Sequence, residues 1–519
     1  MARMFRFSAC LALVLAASCS SADPAVTPDV DAGGLPALEP LPELTAIRTT
    51  LDGTFTPQVA RQTAADGPNP SLPDALKFYQ GMGYGRENPS PAWPRLPRTF
   101  DDSAPPAAGP NRKRLTRFVH MPDLQIADDE TPSRLALLDM PTQIDAAMRP
   151  QDPDLCRMLN AAVRTIRAHH AADPFSFLLL GGDNIDNAQE NELSWVLGTL
   201  GGSERVKCDS GADDDLVPGP DNDGKDAFAS RGLGFPFFWV TGNHDVEVQG
   251  NVAVDADRSA LTVGRSATNG TRDYTRGGAP FTGDFVVADP RRALMPRTTL
   301  MQKVSEHGDG HGLGPEQIAS GKAFYAFDLP DSPFRFVILD TAHAEGGADG
   351  VLLQRDLDRI VTPLLDQAVT DGKLVFVAAH HSSKSLTSNG GAFGVEEPDP
   401  VLEAGWLDYL DAHPEVLASF VGHTHLHQVR ALDTGSHGVW EIMTSAIADY
   451  PNQFRIIEIF DEDNGYFSIE ATAVDYSFDG DAVAKGGREK AVIDYVSGWI
   501  SGGVGTTQDH NVQLWIKKP

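Results

Sequence analysis

Five short polar clusters, each placed where an apolar run stops, constrain this chain more than any other feature. They are Asp123-Leu124-Gln125, Gly182-Asp183-Asn184-Ile185-Asp186, Gly242-Asn243-His244-Asp245, His380-His381 and Gly422-His423-Thr424-His425. The runs before them, residues 116–120, 175–180, 236–240, 374–378 and 416–421, are short and rich in Phe, Val and Leu. Continuous apolar runs of this length read as buried strands, and ligands in α/β proteins gather just beyond the carboxyl ends of strands. From Leu115 onward such runs alternate with helical stretches, the pattern of a layered α/β architecture. Carboxylate, amide oxygen and imidazole are the donors that hold borderline-hard divalent cations, so the clusters predict one convergent site for paired metal ions.

Charge narrows the partners of such a site. A formal net charge of -30 and a pI near 4.7 repel nucleic acid and anionic membrane surfaces. No nucleic-acid partner is therefore expected, whereas a small phosphorylated molecule drawn in by metal charge at short range is compatible. Apolar residues at 41% and charged residues at 22% leave enough apolar material for a large core.

The first 19 residues have a basic start at Arg3 and Arg6 and an apolar run to Ala17, the layout of a signal peptide. Small residues before Cys19 resemble a lipobox, which predicts export to the periplasm or outer cell surface with a lipid anchor at Cys19 as the only membrane contact. Plain secretion is the alternative. Residues 20–110, rich in Pro, Ala and Asp, read as a tether and an N-terminal arm. Residues 111–519 read as one catalytic domain with an acidic insertion near 201–234. The insertion's Asp213, Asp214, Asp215, Asp221, Asp223 and Asp226 fail the EF-hand spacing, so a solvated acidic loop is expected. Cys156 and Cys208 remain in the folded part, and export favours one disulfide between them over two separate thiols.

The order D-x-H, GDxxD, GNH(D/E), H and GHxH, carried here by the five clusters from Asp123 to His425, resembles the signature of the calcineurin-like metallophosphoesterase superfamily. Residues 235–245 and 421–425 look most like it, and residues 128–134 and 440–455 are similar to a bacterial subgroup. The resemblance implies a four-layer α/β/β/α sandwich holding two divalent ions, Mn, Fe or Zn. Asp123, Gln125 and His425 would bind the first, Asn243, His380 and His423 the second, and Asp183 would bridge both. It further implies a bridging hydroxide that attacks the phosphorus of a small phosphate monoester or diester. His244 would face the substrate as the catalytic imidazole, with Asp245 orienting its ring and Asp186 orienting a ligand histidine. Neighbours on an extended segment point apart, so one of His380 and His381 coordinates, and His380 is preferred because it ends the apolar run.

One position departs from the family pattern. Gln125 stands where the family has His, and a neutral amide oxygen is a weaker ligand than imidazole. His120 is either a substitute ligand or a core histidine, and Arg134 and Arg455 are either anion holders or structural ion pairs. A cell-surface binding lipoprotein with a catalytically weak metal site is the alternative to a phosphoester hydrolase.

Overall fold

The computed structural model describes residues 38–519 apart from 64, 66, 142, 275, 276, 285 and 344. The signal-peptide and Cys19 anchor expectations lie outside the described residues. Residues 38–519 form one compact unit, with a mixed α/β fold built on two larger sheets.

In chain order the strands of these sheets are β1 (Arg95–Arg98), β2 (Lys113–Met121), β3 (Leu178–Leu180), β4 (Phe237–Phe238), β5 (Tyr325–Asp328), β6 (Phe334–Ile338) and β7 (Leu374–Ala378). They continue with β8 (Val416–Val421), β9 (Gln428–Asp433), β10 (Gly438–Met443), β11 (Gln453–Asp461), β12 (Tyr466–Asp475) and β13 (Asn511–Lys517). The first sheet runs β1-β13-β12-β11-β2-β3-β4 and the second β5-β6-β7-β8-β10-β9. The strands that precede the polar clusters are parallel neighbours. β2, β3 and β4 pair in parallel in one sheet, and β7 pairs in parallel with β8 in the other. Within each sheet the clusters therefore leave at the same edge.

Sequence alternation sets the packing. In β7, Phe376 and Ala378 belong to the core that also holds Phe118 of β2, while Val375 and Val377 point the other way. The two sheets meet through phenylalanines, with Phe118 lying 5.4 Å from both Phe336 and Phe420 between ring centroids, edge-on contacts that fill the layer between them. Among the helices around the sheets are α1 (Pro73–Gly81), α2 (Leu155–Ala172), α3 (Thr362–Thr370) and α4 (Ala482–Ser497). Val375 and Val377 bury against Leu365 and Ala368 of α3, and α2 packs on α4.

Two expectations change. The domain boundary near 110 falls inside a sheet, because β1 pairs in parallel with β13 and α1 buries Ala75 and Tyr79 against Ile493 of α4. The arm is thus part of the folded unit. The acidic insertion is also less solvated than its composition suggests, since Asp209, Asp214, Asp223 and Lys225 are buried. Lys225 Nζ lies 2.7 Å from Asp129 and 3.2 Å from Glu130, so the acidic stretch 128–134 receives the insertion's lysine. A disulfide between Cys156 and Cys208 ties the insertion to α2.

Candidate metal centre

The loops beyond β2, β3, β4, β7 and β8 are sewn together by their own backbone. Asp123 N–H donates to Gly182 O and Gln125 N–H to Asp183 O, both at 2.9 Å, and Gly422 N–H donates to His380 O at 2.9 Å. These bonds hold strained residues in place. Asp123, Gln125, Asp183, His423 and His425 all adopt left-handed backbone, with φ between 39° and 79°. Each such residue costs on the order of 1–3 kcal/mol and persists only where the surroundings over-determine it. Gly182, at φ 88°, is required for a second reason, because a Cβ there would lie 2.6 Å from His380 Nδ1.

Hydrogen bonds fix which ring nitrogen faces inward. His380 Nδ1 lies 2.8 Å from Gly181 O, so it must carry the proton and leave Nε2 with the lone pair. That Nε2 faces Asp183 Oδ2 at 2.9 Å and Asp123 Oδ1 at 3.8 Å. A lone pair set against two buried carboxylates is stable only with a cation among them, either a proton or a metal ion. The ligand atoms of Asp123, Asp183 and His380 lie within 4.8 Å of one another, as do those of His380, His381 and His423. The donor set therefore fits a divalent cation.

His381 fits less well as a ligand. Its Nε2 faces two acceptors, Ala348 O at 3.0 Å and Asn243 Oδ1 at 3.2 Å, and is the protonated atom. Its Nδ1 accepts from Thr341 Oγ1 at 2.8 Å. His381 instead steadies Asn243, whose Nδ2 donates to Gly250 O at 2.8 Å.

The titration of the buried groups follows this arrangement. Burial alone would lower the His380 imidazole, but Asp183 and Asp123 raise it to about 9. Burial likewise opposes His425, which Asp123 and Asp449 push up to about 10. Burial lowers His423 to about 3, helped by the charge on His380, and leaves it neutral. Asp183 is held far below the usual carboxylate range: burial opposes this, but the imidazoles of His380 and His244 prevail.

His244 is oriented by a different acid from the one expected. Its Nδ1 lies 3.0 Å from Asp186 Oδ1. Asp245 instead accepts from the backbone N–H groups of Asn184, Ile185 and Gly242, which lock the second and third loops together. The expectation that Asp245 orients His244 is therefore corrected, and Asp186 orients His244 itself. His244 N–H also donates to Asp183 Oδ1 at 2.9 Å, leaving Oδ2 for the cluster.

Gln125 is the second correction. Its Oε1 accepts a hydrogen bond from Arg149 Nη2. A dication coordinated to the same oxygen at about 2 Å would lie within roughly 5 Å of that nitrogen, where dication and guanidinium repel by about 7 kcal/mol at an effective dielectric of ~20. Gln125 is thus a hydrogen-bond acceptor rather than an ion ligand. Arg149 is fully buried, and its Nε lies 2.9 Å from Asp449 Oδ1. Asp449 Oδ2 in turn takes His425 Nδ1 at 2.6 Å, so His425 Nε2 points to Asp123 Oδ1 at 3.5 Å. Sequence reasoning missed both Arg149 and Asp449. The signals for Asp449 were its place in the subgroup-like stretch 440–455 and its position closing the apolar run Ala446-Ile447-Ala448.

The remaining candidates are structural. His120 is buried, with Nδ1 2.8 Å from Thr444 Oγ1. Arg134 pairs with Asp152 at 3.0 Å and Asp186 at 3.2 Å, and Arg455 donates to the backbone oxygens of His510 and Asp509. A cavity of about 340 Å³ opens over the site, lined by Gln125, Asp183, Asn243, His244, His423 and His425 among others.

No protein-family model matches the chain, and no curated protein matches it. Among solved structures it is similar to a dimetal phosphatase from Danio rerio, at 14% identity and TM-score 0.40, covering 70% of this chain and 100% of that one. It is also similar to a purple acid phosphatase from yellow lupin (Lupinus luteus) seeds, at 13% identity and TM-score 0.32, covering 74% of this chain and 54% of the other. The chain thus spans the whole of the first neighbour and about half of the second. At such TM-scores the chemistry rests on the residues of the site themselves.

Proposed function

We propose that this chain is a metal-dependent phosphoester hydrolase of the calcineurin-like metallophosphoesterase type, exported and acting on a small phosphate ester. The observation that carries the reading is the convergence of Asp123, Asp183 and His380, with His423 brought to the same His380 and the tautomer of His380 set so that its lone pair faces the acids. The two facing sheets, with α2 and α4 on one and α3 on the other, support the four-layer sandwich expected for this type. The disulfide between Cys156 and Cys208 supports export to an oxidising compartment.

Asp183, Asn243, His380 and His423 would hold a divalent cation. When bound it supplies a Lewis acid that polarises the phosphoryl group and acidifies water. Asp183 serves through Oδ2, because Oδ1 is taken by the His244 backbone. His381 and Gly250 keep the Asn243 amide oxygen turned inward. His244, with Nδ1 fixed on Asp186, keeps Nε2 for the proton that a departing oxygen needs. The cavity of about 340 Å³ accommodates a small ester, and the net charge of -30 selects against long polyanions.

Elemental analysis of the purified protein, with turnover of bis(p-nitrophenyl) phosphate and p-nitrophenyl phosphate, tests the reading. Metal-dependent turnover is expected, and a preference for the first substrate would mark a phosphodiesterase. A protein without metal that turns over neither substrate after metal addition is a binding protein, and the hydrolase reading falls.

A further inference from the structure

We infer that Arg149, by binding Gln125, takes that side chain out of the first metal position, so that this site takes one divalent cation beside a fixed guanidinium. The inference rests on the metal-dependent reading above and concerns how many ions the site holds.

Four residues were expected around the first ion: Asp123, Gln125, His425 and Asp183. The side chain at the position where the family has an imidazole is engaged by Arg149 Nη2 through its only strong acceptor. The guanidinium is completely buried and reaches past Gln125 to the acid that orients His425. Its Nε lies 2.9 Å from Asp449, which holds His425. Its Nη1 lies 3.9 Å from Asp186, which holds His244, and 3.8 Å from Asp152. One cation thus contacts Gln125 directly and pairs with the carboxylate that holds His425.

An arginine can take this place because it stays protonated and its planar fork meets several oxygen acceptors at once. It supplies the positive charge that Asp449 needs in a buried setting. It cannot act as a Lewis acid or exchange with solution ions. The second position differs, because its donors are the neutral imidazole of His423, the inward lone pair of His380 and the carboxylate of Asp183, and no guanidinium is bonded to them among the described residues. Gln125 and Arg149 therefore act as a matched pair: the amide oxygen is an acceptor that a guanidinium can use, whereas a histidine there would offer one nitrogen to an ion.

The test is metal stoichiometry, with manganese as the probe. Wild-type protein stripped of metal and titrated with Mn²⁺ is expected to bind one equivalent tightly and to give the electron paramagnetic resonance spectrum of an isolated ion. Gln125→His is expected to stay at one equivalent because the guanidinium remains. Gln125→His combined with Arg149→Gln is expected to admit a second ion and to show spin coupling. Two tight equivalents or a coupled pair in the wild type overturns the inference while leaving the metal-dependent reading intact. No tight equivalent in the wild type overturns the reading on which it rests. Since the wild-type measurement decides the count, a double variant that fails to fold does not rescue the inference.

Discussion

The two halves of the site solve one electrostatic problem in different ways. Under β7 and β8, His380 and His423 meet Asp183, and the ring of His380 is turned by a backbone carbonyl so that its lone pair points inward. That half is an array of donors waiting for a charge. Under β2, the charge is already built into the chain: Arg149 binds Gln125 and pairs with Asp449, and Asp449 holds His425. The difference shows that the spacing of ligand clusters specifies where positive charge is wanted. It does not specify whether an exchangeable ion or a side chain brings it.

The sharpest way to break the comparison is to remove the acid that both halves share. Asp183→Ala is expected to abolish metal binding and turnover together, because Asp183 Oδ2 faces His380 Nε2 at 2.9 Å and no other carboxylate lies as close to that nitrogen among the described residues. Elemental analysis beside wild type checks this, and an unchanged metal content would refute the role. His244→Ala should separate the two functions: metal is retained, while turnover falls by roughly 10²–10⁴, the usual contribution of a positioned general acid. Loss of metal in this variant would instead make His244 part of the ion site.

The parts of this site that follow from local sequence were legible in it. β7 and β8 begin and end where their apolar runs do, at 374–378 and 416–421, because buried parallel strands need continuous apolar residues. The run 236–240 yields only Phe237–Phe238 as strand, since Trp239 N–H leaves the sheet to donate to His311 O. What was illegible depends on chain closure. Arg149 and Asp449 are far apart in sequence, and the pairing of β2 with β11 brings their loops together. Adjacency misled in the case of Asp245, which follows His244 directly but turns back onto three backbone amides. The buried Lys225 was hidden for the same reason, because its acids lie in the distant stretch at Asp129 and Glu130.

A smaller effect is expected from the acid that serves His244. Asp186→Asn should lower activity by roughly 10–100-fold, the usual cost of losing a partner that orients a functional group. The pH profile gives a second readout. Burial opposes protonation of His244, but Asp183 and Asp186 raise its pKa above the ordinary value. A general acid is lost as pH rises through its pKa, so with Asp186 neutral the alkaline fall in rate should begin at lower pH. A profile that keeps its alkaline limb in place would show that Asp186 does not tune His244.

The smallest effect concerns the histidine that could have replaced the missing ligand. His120 is completely buried, and burial, with the charge of Arg455, lowers its pKa to about 3. The unfolded chain binds a proton near pH 6.5 where the folded protein does not, so the contribution of this group is fully present above pH 6.5 and is lost as pH falls toward 3. The loss amounts to about 1.4 kcal/mol per pH unit in that window. His120→Asn keeps a polar group near Thr444 Oγ1, which lies 2.8 Å from the native Nδ1, but cannot titrate. Chemical denaturation at pH 7 and pH 4.5 should therefore show a flatter acid limb in the variant, with bound metal unchanged. A drop in metal content would instead make His120 a ligand and place an imidazole, rather than a guanidinium, behind Gln125.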